Sequence, residues 1–208
     1  MPTAVELSAL RARTQQLLMS PASQNIDFYW GGNHVSGSTF VYIAVALASR
    51  PNTRRGISFV VRPQPPNVGA SYQPANNTVE FPTIGFGLSD PWEKMSIIHE
   101  MTHAVIDEIS PGRRTRAVHD ELCAYTAGAL FNIYSAGNPH AGPYPFTPAP
   151  DSVYSAAHGV AMSIQDSRGF AISPVVANPL RQAILASPTY TYLHAHPNYS
   201  YSNNGVSL

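Results

Sequence analysis

Apolar residues recur at Val5, Leu7, Leu10, Leu17 and Leu18 with arginine and glutamine between them. This spacing predicts an amphipathic helix over residues 4–19, ending near Ser20-Pro21. Residues 22–38 show no clean period; Phe28, Tyr29 and Trp30 are their candidate packing anchors. The run FVYIAVALASR, residues 40–50, is apolar on every side, and its length and alanine-rich end favour a buried helix over a strand. Residues 57–62 (ISFVVR) are β-branched and aromatic and predict a strand, stopped by PQPPN. Ala70-Ser71-Tyr72 and Thr78-Val79-Glu80-Phe81 flank the turn-like QPANN and predict a short hairpin or meander. Alternation would aim Val79 and Phe81 at the core and Thr78 and Glu80 outward, and Pro82 suits an edge strand.

The best-punctuated element is residues 90–110, DPWEKMSIIHEMTHAVIDEIS. Asp90 is a good N-cap, Pro91 suits the first helical position, and Glu93 would complete a capping box. Ile98, Met101, Ala104, Val105 and Glu108 lie mostly on one side, and Ser110-Pro111-Gly112 ends the helix. A short basic loop, RRTRA, leads into a second helix over residues 118–134. Residues 138–150, NPHAGPYPFTPAP, hold too many prolines for regular structure. A third helix is expected over 151–165 with Asp151 as its cap, and a short fourth one from Asn178-Pro179. The Tyr-, Ser- and Asn-rich tail, residues 197–208, reads as flexible. There is no internal repeat. Together the elements describe one α+β domain over residues 1–208, a small mixed or antiparallel sheet followed by a mostly helical C-terminal part.

The central helix carries His99-Glu100-Met101-Thr102-His103, the H-E-x-x-H pattern of zinc hydrolases. At about 100° per residue, the two histidines lie only about 40° apart, so both imidazoles can reach one ion. Glu100 projects to the side, suited to act on a water as a general base. A catalytic zinc needs a third protein ligand. A glycine and a histidine farther along the same helix would be one source, but Ile106 and Ile109 occupy those positions. The second helix offers His119, Asp120 and Glu121. Glu121 shares a stripe with Ala124 and Gly128, small residues that let two helices approach closely, and is the preferred ligand; His119 and Asp120 are the alternatives.

This order of strand, H-E-x-x-H helix, short loop and Glu-bearing helix, over roughly residues 70–135, resembles the zincin metallopeptidases of the glutamate-ligand type (gluzincins). The resemblance rests on His99, Glu100, His103 and Glu121. It implies a zincin-like fold with the sheet packed on the active helix, one catalytic Zn2+, and hydrolysis of a peptide or protein substrate. It also implies that the strand before the helix lines the cleft. The fuller motif around the third ligand is absent, because Asp120 and Tyr125 stand where an asparagine and an aspartate would. A donor for the tetrahedral oxyanion would come from Tyr154, His158, Tyr190 or His194. The competing expectation is a zincin-like metal-binding or interaction module without hydrolytic activity.

Composition narrows the setting. Charged residues make up only 12% of the 208, with a formal net charge of zero, and Arg54-Arg55 and Arg113-Arg114-x-Arg116 are short basic runs in loops. No nucleic-acid partner is expected. The single cysteine, Cys123, excludes an internal disulfide and a Cys-based zinc site, and reads as a packing residue. His34, His140 and His158 read as ordinary histidines and His194-Ala195-His196 as surface, although on a strand this last pair could share a metal. The N-terminus lacks a Sec-type signal and the apolar run 40–48 is too short to span a membrane. The expectation is a cytoplasmic protein, or one exported by another route.

Overall fold

The computed structural model describes residues 2–49, 56–64, 68–136 and 152–203. The Pro-rich stretch 138–150 with His140, the cap at Asp151, Arg54-Arg55 and residues 204–208 lie outside these. The fold is α+β, dominated by helices, with three small sheets among the described residues. Among the described residues no helix is long and apolar enough to cross a membrane.

Helix α1 (Ala4–Leu18) is started by a true capping box: Thr3 caps Glu6 N–H and the Glu6 carboxylate returns to Thr3 N–H at 2.7 Å. A single turn, α2 (Pro21–Gln24), follows. The stretch without a period then forms a hairpin, β1 (Asp27–Trp30) and β2 (Asn33–Ser36), whose turn places Gly31 and Gly32 at φ 58° and 86°. Left-handed backbone at both turn positions suits glycine and matches the twist of the strands. The apolar run is helix α3 (Gly37–Ser49).

A second sheet contains β3 (Ser58–Val61), β4 (Ser71–Gln73) and β5 (Thr78–Phe81) in the order β3-β5-β4. Two sequence expectations fail here. β5 is the central strand, parallel to β3 and antiparallel to β4, and all four of its residues are buried rather than alternate ones. Glu80 tolerates burial because Arg62 Nε donates to it at 2.8 Å and Ser71 Oγ at 3.3 Å. Pro82 lies just past the ladder, where its missing N–H is not needed.

Helix α4 (Pro91–Ile109) begins as expected at Asp90, whose carboxylate accepts from Trp92 N–H at 2.8 Å. The expected capping box does not form. Glu93 instead accepts from Gly87 N–H at 2.8 Å and ties the preceding loop to the helix. The RRTRA loop contains a strand, β6 (Arg114–Arg116), before α5 (Ala117–Ala136). Helix α6 (Ser152–Ile164), strand β7 (Phe170–Ala171) beside β1, and α7 (Pro174–Ala186) follow. α7 starts four residues before the expected Asn178, with Ser173 as cap and Pro174 at its first turn. Pro179 lies in the first turns of the helix and cannot donate to the carbonyl of Val175, a residue that is 83% exposed. After a 3₁₀ turn (Pro188–Tyr190) and α8 (Thr191–Ala195), the tail expected to be flexible adds β8 (Ser200–Ser202) to β6. Asn203 anchors it, donating from Nδ2 to Thr115 Oγ1 at 2.9 Å.

The core runs through α4 and α5. Ile97, Ile98, Met101, Ala104 and Val105 of α4 meet Leu122, Cys123, Ala127 and Leu130 of α5, all fully or almost fully buried. α5 also packs against α6, so it is covered on both sides. Gly128 permits the close approach to α4: a Cβ there would sit 3.1 Å from Met95 Cγ and 3.3 Å from Met95 O.

Candidate metal centre

The α4–α5 contact brings His99, His103 and Glu121 together. One ligand atom from each lies within 4.8 Å of the others, the one such group of three among the described residues. His99 Nε2 is 3.3 Å from Glu121 Oε2, and His103 Nε2 is 3.8 Å from Glu121 Oε1. Two imidazoles one turn apart on α4 thus face a carboxylate from the neighbouring helix. Donors held at about 2.0–2.2 Å by a tetrahedral ion lie roughly 3.3–3.6 Å apart, so this set needs little contraction to hold one. Two nitrogens and one carboxylate oxygen are also a donor set that suits zinc.

Asp120, expected as an alternative ligand, takes a different place. His103 Nδ1 donates to Asp120 Oδ2 at 2.8 Å, and Asp120 is 1% exposed. The carboxylate fixes the imidazole with its proton on Nδ1, which leaves Nε2 free to act as a donor atom towards an ion. One step along α5 is about 100°, so adjacent acidic residues can address the cluster and the back of His103 from one helix. His119, the other alternative, points elsewhere, its ring edge-on to Trp30 with centroids 5.6 Å apart.

The electrostatics favour positive charge at the cluster. Burial opposes a charge on His103, but Asp120 and Glu121 outweigh it and raise its pKa to about 10. Burial works against a charged Glu121 too, yet His103 and His99 hold its carboxyl below the usual range. A proton satisfies this field in the metal-free chain, and a divalent cation would satisfy it more fully. His99 Nδ1 and Asp120 Oδ1 are buried with no hydrogen-bond partner among the described residues.

Glu100 sits beside the cluster, with Oε1 3.9 Å from His99 Nε2. Its other oxygen, Oε2, accepts the Tyr72 backbone N–H of β4 at 2.7 Å. Burial is the main influence on its carboxyl and pushes the pKa up. β4 is the outer strand of its sheet and is itself pinned: Tyr72 Oη lies 3.1 Å from both Asn77 Oδ1 and Asp107 Oδ2.

Of the four candidate oxyanion donors, Tyr190 reaches the cluster. Its hydroxyl donates to Glu121 Oε2 at 2.8 Å and lies 2.9 Å from the Tyr125 hydroxyl. Tyr154 stacks edge-on between Tyr125 and Trp92, with centroids 4.9 and 4.5 Å away. His158 lies on α6, and His194 is exposed on α8 with Nδ1 3.0 Å from Leu185 O. His194 and His196 therefore do not share a strand. Spacing could not select Tyr190, because its approach depends on the turn between α7 and α8. Nor could it find the Tyr72 N–H, since a backbone donor leaves no residue type to read.

No family model matches the chain, and neither a curated protein nor a solved structure matches it.

Proposed function

We propose that the chain is a zinc-dependent metallopeptidase of zincin-like architecture that hydrolyses peptide bonds in a peptide or protein substrate. The observation that carries this reading is the convergence of His99, His103 and Glu121 with Glu100 beside them and Asp120 behind His103. When bound there, zinc supplies Lewis acidity, polarising a carbonyl and acidifying a water.

The chain's own groups carry the rest. Glu100 is held by Tyr72 N–H through one oxygen, leaving the other beside the cluster to accept a proton from water and pass it to the leaving amine. A carboxyl whose pKa burial raises above the ordinary value is suited to both halves of that transfer. Tyr190 has a hydroxyl at the same edge of the cluster and can turn from Glu121 to the developing oxyanion. β4, the outer strand beside Glu100, is the element along which an extended substrate would lie.

The test is metal analysis of wild type, Glu100→Gln and Glu121→Ala, alongside hydrolysis of a peptide library. About one zinc retained by Glu100→Gln with activity lost by a factor of roughly 10²–10⁴, and weakened zinc in Glu121→Ala, are the expected results. Full zinc occupancy without hydrolysis of any substrate by wild type would instead identify a metal-binding or interaction module.

A further inference from the structure

A concavity lies where the β1–β2 turn, β7, α7 and His119 of α5 meet, with a volume of about 590 Å³. That is within the range of small-molecule sites, about 300–1,000 Å³. Its walls divide by chemistry. Trp30, Ile172 and Ala177 supply apolar and aromatic surface, while His119, Asn178 and Arg181 supply polar groups. No aspartate or glutamate lines it among the described residues.

Arg181 stands out among the arginines. Arg11 and Arg13 donate to backbone carbonyls, Arg62 to Glu80 and Arg168 to Asn25. Arg113 and Arg116 are exposed. Arg181 is half-buried, on the side of α7 that faces the cavity with Ala177 and Asn178, and among the described residues it has no hydrogen bond or ion pair. A guanidinium half out of water without a counter-charge, in a hollow with no acid, lacks an anionic partner.

We propose that this cavity binds a small organic anion, its carboxylate or phosphate head on Arg181 and its flat apolar body against Trp30, Ile172 and Ala177. The site is separate from the metal centre and does not depend on the hydrolase reading. Removing the Arg181 charge leaves no buried partner stranded, so the fold should survive it.

The probes are 3-phenylpropionate, phenyl phosphate, inorganic phosphate and the uncharged 3-phenylpropionamide, titrated into the full chain by calorimetry before and after chelator treatment. Binding of 3-phenylpropionate or phenyl phosphate is expected, and the tighter of the two identifies the head group. The amide should bind at least about tenfold more weakly, the size of one charge-assisted hydrogen bond, and Arg181→Gln should weaken the anion as much without moving Tm. Inorganic phosphate, lacking the apolar body, should bind more weakly than phenyl phosphate. Chelation should change none of these affinities. Equal binding of acid and amide, indifference to Arg181→Gln, loss of binding on chelation, or no binding of either organic anion would each overturn the proposal.

Discussion

His103 Nδ1 lies 2.8 Å from Asp120 Oδ2, so a buried carboxylate of α5 sets the orientation of a histidine on α4. Asp120→Asn keeps an oxygen that can accept from Nδ1–H but removes the charge behind the imidazole. Zinc affinity should fall by about 10–100-fold, read by competition with a chelator of known strength. Unchanged affinity would mean that Asp120 serves packing alone.

Tyr190→Phe removes the hydroxyl that reaches Glu121 and leaves the ring in place. On the hydrolase reading, kcat should drop by roughly 10²–10³ while zinc content stays at the wild-type level. A kcat equal to wild type would take Tyr190 out of the chemistry.

Gly128 sets the separation of α4 and α5, because a side chain there meets Met95. Gly128→Leu should destabilise the fold by about 1–3 kcal/mol in denaturant unfolding and weaken zinc by moving Glu121 away from the histidines. Wild-type stability in this variant would show that the helices are free to shift apart.

Zinc should raise the thermal midpoint of chelator-treated protein, since an ion that binds only the folded chain stabilises it by about 2.7 kcal/mol at 100 times Kd. Glu121→Ala should show a smaller rise at the same free zinc. Equal shifts in both proteins would count against Glu121 as a ligand.

Tyr72 adds a pH dependence at the alkaline end. Burial, with Asp107 next, raises its phenol well above the ordinary value of 10.0. The unfolded chain therefore ionises first, and stability that is fully present below about pH 10 is lost as pH rises beyond it. Tyr72→Phe should be less stable at neutral pH by about 1 kcal/mol but lose less between pH 10 and 11 than wild type. Parallel curves for the two proteins would show that another group governs alkaline unfolding.

Where periodicity was strong, local sequence and fold agree. α1 and α4 lie close to where apolar spacing and end signals put them, and α3 is the helix that its length and alanine-rich end favoured. The disagreements concern partners rather than propensity. Thr78 and Glu80 alternate with apolar neighbours as in a one-sided strand, but β3 and β4 enclose β5 and the whole strand is buried. Glu93 stands at the right distance for a capping box, yet Gly87 N–H, carried close by the preceding loop, takes the carboxylate. RRTRA and the polar tail have little tendency to form strands alone and do so by pairing with each other.

The sequence by itself determined that His99 and His103 share one helical face with Glu100 beside them, because the α-helical repeat fixes angles between near neighbours. With the resemblance to glutamate-ligand zincins, it pointed to the start of the next helix for a third donor. Only the tertiary structure shows which of His119, Asp120 and Glu121 lies with the two histidines. Packing rotates α5 so that Glu121 faces both imidazoles, Asp120 backs His103, and His119 turns to the β1–β2 hairpin. Tyr190 and the Tyr72 N–H join the same centre from segments distant in the chain, and no helical or strand period links them to it.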